Sequence, residues 1–173
     1  MRALVAAVLG LVLGLGWGMQ CWAGVWAVVD YVNDGDTVTV IVHGRRELVR
    51  LIGVDAPETI HSKALARRAA RHHRSPLAEA RLGEAARRFL AGLLPRGSRV
   101  RLSRDSFTPM RDRHGRLLRY VWDSRGRLVN LLIIRAGMAR AFRKFHYSYK
   151  RAFLAAEARA RAERAGLWAK GGP

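Results

Sequence analysis

The sequence predicts an α+β fold, mainly β: a small five-stranded barrel of the OB type, packed with about three α-helices. Three features lead there. Three β-rich runs lie close together in residues 25–54, separated by turn residues. Two further strand-like runs occupy 98–102 and 117–122. Between and after them lie segments with helical spacing of apolar residues.

The first run, VWAVVDYV at 25–32, reads as a strand, and Asn33-Asp34-Gly35 as a turn. Thr37–Val42 alternates β-branched residues and forms the second strand. His43-Gly44-Arg45-Arg46 turns the chain into a third strand over Leu48–Val54, which Pro57 ends. If these strands pair around Gly44, position 36 lies opposite 52 or 53, bringing Asp36 near Asp55. Residues 59–76 are basic and lack a core pattern, so they read as a mobile loop or a short surface helix. Ser75 and Pro76 are suited to cap and open the next helix, about 77–93. Ser98–Leu102 and Leu117–Trp122 are the fourth and fifth strands, with a polar loop between. A short apolar helix over Leu128–Ala136 stops at Gly137, and a last helix spans about 147–165.

The 173 residues carry 32 Lys+Arg against 13 Asp+Glu, a net charge of +19. Such a field attracts polyanions and argues against an NAD-type enzyme. One cysteine excludes a disulfide scaffold and a Cys-built zinc site.

Residues 1–23 read as a secretory signal peptide. Arg2 supplies the positive start, residues 3–17 the uncharged apolar stretch, and Cys21-Trp22-Ala23 places small residues at −3 and −1 of a cleavage after Ala23. An uncleaved anchor is the alternative, but the apolar run is shorter than the roughly 20 residues of a spanning helix. The residues before Cys21 argue against a lipoprotein. Cleavage leaves a 150-residue chain without cysteine and with a charge of +18. The expected organisation is therefore a signal segment over 1–23 and one domain over 24–170, exported to the periplasm or outside the cell. No stable membrane insertion is expected after cleavage, no obligate protein partner is evident, and a monomer is expected.

Acids are scarce, yet Asp34, Asp36, Asp55 and Glu58 fall together at predicted strand ends. Like charges so placed repel unless a cation bridges them or protons neutralise one. Hard cations such as Ca²⁺ favour carboxylate and carbonyl oxygens. Asp34 alone reads as a turn residue. Asp36, Asp55 and Glu58 together read as a metal site.

Asp34-Gly35-Asp36-Thr37-Val38, then Arg50-Leu51-Ile52-Gly53-Val54-Asp55-Ala56-Pro57-Glu58-Thr59, then Asp112-Arg113-His114-Gly115-Arg116 occur in this order. With Arg135–Ala139 and Gly166-Leu167-Trp168, they resemble the thermonuclease (staphylococcal nuclease-like) family over nearly all of residues 25–168. The resemblance implies Ca²⁺ on the Asp36 and Asp55 carboxylates and the backbone carbonyl of Ala56. It implies that Glu58 activates the attacking water and that Arg50 and Arg116 hold the reacting phosphate. It implies hydrolysis of phosphodiester bonds in DNA and RNA, with a preference for single strands and 3′-phosphate products. Ala56 replaces a threonine of the best-known member, which keeps a carbonyl ligand but loses a hydroxyl. The segment after Glu58 is longer and more basic than in that member. Its base-stacking tyrosines have no secure match here, and Phe142, Phe145, Tyr147 and Tyr149 are the candidates.

The chemistry suits these residue types. Arginine forks bond phosphate oxygens bidentately, and a carboxylate at one-water reach can take a proton. Arg67, Arg68, Arg71 and Arg74 are expected to track nucleic-acid phosphates. Phe153 and Leu154 of the last helix are expected to pack inward, and Trp168 to pack as an end-piece. His72-His73 reads as a solvated pair. The competing reading is a non-catalytic OB-type nucleic-acid binder.

Overall fold

The computed structural model describes residues 24–59 and 64–169. The proposed signal segment therefore lies outside the described residues. Strand β1 (Val25–Asp34) pairs antiparallel with β2 (Thr37–Val42), and β2 with β3 (Arg45–Leu51). Strands β5 (Arg99–Ser103) and β6 (Leu117–Trp122) complete a closed barrel in the order β1-β2-β3-β6-β5, with β3 and β6 parallel. Alternate residues point inward: Ala27, Val29, Val38, Val40, Val49, Leu51, Val100 and Leu102 are buried. Two register shifts in β1, between Val29 and Tyr31 and between Val32 and Asp34, bend it at its end.

The predicted third strand is two pieces. The chain leaves β3 at Leu51, and Gly53 takes a φ of +75°. A Cβ there would lie 2.5 Å from the Tyr147 ring, so glycine serves both the bend and a close approach. A short β4 (Val54–Asp55) then pairs with β7 (Arg140–Ala141) as a separate two-stranded sheet. Consequently position 36 meets position 51, where the Leu51 amide donates to the Asp36 carbonyl at 2.9 Å, rather than 52 or 53.

Four α-helices are present among the described residues, one more than expected. The basic segment contains α1 (Leu65–Arg71), which buries Arg68 and Ala69 and so is no mere surface helix. Helix α2 (Pro76–Leu93) starts as anticipated: Ser75 accepts the Ala78 amide at 3.2 Å and Pro76 opens the first turn. Its buried Leu82, Ala86 and Leu90 lie at helical spacing. Helix α3 (Val129–Arg135) carries Asn130, whose side chain accepts the Val121 amide at 2.9 Å and donates to the Ile52 carbonyl at 3.0 Å. This buried amide ties α3 to the turn after β3. Helix α4 (Lys150–Ala162) is shorter than predicted and seats Phe153 in the core, while Leu154 packs at its margin.

Candidate active site

The site begins at the turn between β1 and β2. A Cβ on Gly35 would sit 2.7 Å from the Cβ atoms of both Ala56 and Ala86. A glycine facing two alanines lets this turn press against the end of β4 and against α2. Asp36 is thereby buried, at 2% exposure. Its Oδ2 accepts the Ala56 amide at 3.1 Å, and its Oδ1 accepts the Thr37 hydroxyl at 2.9 Å. Oδ1 also accepts the Arg50 guanidinium, which reaches from β3 because Thr37 and Arg50 face each other in the ladder. Arg50 donates its other terminal nitrogen to the Val54 carbonyl at 3.2 Å.

Two more acids border this pair. The Asp34 carboxyl is pushed up to about 7, first by burial, then by the neighbouring Asp36 and, more weakly, Glu58. The Gly35 amide and Arg50 pull the other way. Glu58 is half-buried and accepts no hydrogen bond among the described residues. Its backbone lies so close to α2 that a Cβ on Gly83 would fall 2.2 Å from the Glu58 carbonyl oxygen. Helix α2 thus holds both acidic segments through two small residues, Gly83 and Ala86.

A cavity of about 440 Å³ opens beside Arg50 and is also lined by Gly53, His114, Arg116, Phe142 and Phe145. Arg116 stands in it with Nε and Nη2 each 2.7 Å from Asp112 Oδ2. Burial works to raise the Asp112 pKa, but Arg116 and the His114 and Arg116 amides outweigh it and hold the group below its usual range. The turn therefore presents Arg116 in a fixed orientation.

Asp55 lies next to Ala56, yet its side chain turns elsewhere. Its Oδ1 accepts Arg68 Nη1 at 2.7 Å. Arg68 also donates Nε to Glu79 Oε1 at 3.1 Å, and Arg74 Nη1 lies 3.6 Å from Glu79 Oε2. Glu79 is fully buried in α2. This corrects part of the expected phosphate-tracking patch. Arg67 and Arg71 face solvent, but Arg68 is buried and Arg74 half-buried, both drawn inward by Glu79. A second correction concerns the aromatic candidates. Phe142 and Phe145 line the cavity, whereas Tyr147 is buried with its hydroxyl on the Phe142 carbonyl at 2.9 Å, and Tyr149 stacks on Phe153 in the core.

The profile of the family described as "Staphylococcal nuclease homologue" matches residues 48–170. The chain belongs to the staphylococcal nuclease family. Similar proteins include Protein ParB of Escherichia coli, 32% identical over 155 residues that cover 85% of this chain and 74% of that protein. The Thermonuclease of Staphylococcus intermedius is 36% identical over 114 residues, 66% of this chain and 58% of its own length. Endonuclease YncB of Bacillus subtilis is 29% identical over 146 residues, 83% of this chain and 62% of its own length.

Within this staphylococcal nuclease homologue, Asp36, Arg50 and Ala56 are in direct contact, and Arg116 shares a cavity with Arg50. Asp55 is joined to them through the backbone, with its carboxylate on Arg68. Among the described residues, no three His, Cys, Asp or Glu side chains converge as metal ligands, and His72-His73 forms no such group. The donor chemistry still suits Ca²⁺: every expected ligand atom is an oxygen, and the Asp34 carboxyl, raised first by burial, is raised further by the neighbouring Asp36 and Glu58 carboxylates. Asp34, read from sequence as a turn residue, does make the turn through the Gly35 amide at 2.7 Å, but it also belongs to the acidic cluster. The Arg68–Glu79 pair was not foreseen, because a buried arginine and a surface arginine look alike in a basic run. Trp168 packs as an end-piece, with the Arg161 guanidinium 3.9 Å from its ring centre.

Proposed function

We propose that this protein is an exported, Ca²⁺-dependent nuclease that hydrolyses phosphodiester bonds in DNA or RNA. The observation carrying this reading is that Arg50 and Arg116 line one cavity, with Arg50 held by Asp36 at its edge. The names of the relatives, Thermonuclease and Endonuclease YncB, support the same class of reaction.

Asp36, Asp55 and the Ala56 carbonyl would hold the Ca²⁺ ion, and binding would require Asp55 to exchange Arg68 for it. When bound, the ion neutralises charge that builds on the phosphate oxygens. Among the described residues, Arg50 bonds only through its terminal nitrogens, and the Arg116 side chain through Nε and Nη2. Arg50 Nε and Arg116 Nη1 therefore remain to donate to a phosphate in the cavity. These donors help most as the transition state gains charge. Glu58, with no competing hydrogen bond among the described residues, takes the proton from the attacking water, a role worth about 10²–10⁴-fold. The water oxygen bonds to phosphorus, the bond to the 5′ oxygen breaks, and that oxygen takes a proton from solvent. A 3′-phosphate end remains. Export rests on the apolar residues 3–17 and the small residues before Gly24. Among the described residues, no helix is long and apolar enough to cross a membrane.

The test incubates the protein with single-stranded DNA and with RNA, in CaCl₂ or in EGTA, followed by analysis of product ends. Cleavage in calcium only, and its loss in Glu58→Ala with binding retained, is the expected result. Binding without cleavage under any divalent ion would instead make the protein a nucleic-acid binder.

A further inference from the structure

Strand β1 and the first turns of α2 enclose a second cleft of about 620 Å³, which shares no lining residue with the cavity beside Arg50. Its walls include Tyr31, Asn33, Thr59, Leu77, Arg81 and Arg87. Asn33 directly precedes Asp34 and Thr59 directly follows Glu58, so this cleft begins where the acidic cluster ends. Tyr31 is 52% exposed and Leu77 58% exposed, two large apolar surfaces offered to solvent on a strand and a helix that both wall the cleft. Arg81 is exposed and makes no ion pair among the described residues, while Arg87 bonds Glu84 at 2.9 and 2.7 Å. An aromatic ring with aliphatic walls suits a flat base, and a free guanidinium suits the phosphate attached to it.

We propose that this cleft is a second nucleotide subsite. It holds the nucleotide on the far side of the scissile phosphate from the one in the Arg50–Arg116 cavity, so that the strand crosses Asp34, Asp36 and Glu58 between two base pockets. The proposal rests on the nuclease reading and adds to it a footprint of at least two nucleotides. The shared ligand chemistry is a nucleotide, whether part of a strand or free.

The experiment measures binding of thymidine mononucleotide, dinucleotide and tetranucleotide to the Glu58→Ala protein in CaCl₂. Tyr31→Ala and Arg81→Ala are then each added to that background. Stacking of one base contributes roughly five- to hundredfold in affinity. The dinucleotide should gain such a factor over the mononucleotide, and Tyr31→Ala should remove most of it without changing mononucleotide affinity. Tyr31→Phe should keep the gain, and an oligonucleotide bearing 5-iodouracil should photocrosslink to Tyr31. Unchanged dinucleotide affinity in both Tyr31→Ala and Arg81→Ala would overturn the subsite. So would an equal loss for mononucleotide and dinucleotide, which would describe a site for free nucleotides. The two readings fail separately. A wild-type protein that shows the dinucleotide gain but never cleaves keeps the subsite and loses the nuclease. One that cleaves with no dependence on Tyr31 or Arg81 does the reverse.

Discussion

Replacing Glu79 by alanine should destabilise the protein and disturb the site together. Glu79 is fully buried, and its partner Arg68 is only 9% exposed. Removing one member of a buried ion pair leaves the other charged and desolvated, which typically costs about 3–5 kcal/mol. Two features place this case at the low end. Arg68 keeps Asp55 at 2.7 Å, and Arg74, 25% exposed, can turn to water. A loss of about 3 kcal/mol corresponds to a drop of roughly 6–12 °C in Tm for a domain of this size. The pair is also incompletely satisfied: among the described residues, Arg68 Nη2 and Glu79 Oε2 have no hydrogen-bond partner. The double variant Glu79→Leu with Arg68→Leu should therefore recover most of the loss, as apolar replacements of buried pairs often do. Urea unfolding of the two single variants and the double variant provides the comparison. If Glu79→Ala costs less than about 1 kcal/mol, or the double variant loses the sum of the singles, the pair is not the coupled buried unit described above.

Three further outcomes follow from the packing and charge around the site. Gly83→Ala puts a methyl against the Glu58 carbonyl at 2.2 Å, backbone that cannot move aside without shifting Glu58. Activity should fall together with a stability loss of about 1–3 kcal/mol, read by turnover and thermal unfolding. Glu157, 1% exposed on α4, is worked upward by burial, but hydrogen bonds from Arg143, the Ala141 amide and Arg161 outweigh this and hold its pKa below 4.5. Its contribution is thus present above that value and lost as pH falls through the lower folded-state pKa. Glu157→Gln should flatten the acid limb of a stability–pH curve and leave little difference between variant and wild type at the acid extreme. Calcium at a hundredfold excess over its Kd should stabilise the protein by about 2.7 kcal/mol, and Asp36→Asn should abolish that shift in calorimetry.

Much of the fold was legible because its signals are local. Alternating β-branched residues marked β2, short strand-like runs between turn residues marked β1, β5 and β6, and Ser75-Pro76 marked the start of α2 within a residue. The break between β3 and β4 was not, because Gly53 reads as one more residue of an apolar strand until the Tyr147 ring is known to lie against it. Helix α1 was blurred for a different reason: in LARRAAR the buried residues are Arg68 and Ala69, so the usual stripe of large apolar side chains is missing. At the site, residue order and spacing singled out Asp36, Arg50, Asp55, Ala56, Glu58 and Arg116. The orientation of Asp55 toward Arg68 depends on Glu79, which lies 24 residues further along the chain.

By itself, the sequence determined which chemical groups this protein owns and the turns that carry them. Asp-Gly-Asp, Arg50 of β3 and the Asp112–Arg116 turn are short-range features, set by local backbone preferences and spacing. Tertiary structure decided which of the many arginines are available to a ligand. In a chain of net charge +19, an arginine's role depends on whether a carboxylate reaches it in three dimensions. Burial next to Glu79 converts Arg68 from a phosphate contact into an internal counterion, whereas Arg50 and Arg116, each held by one acid, still face a cavity.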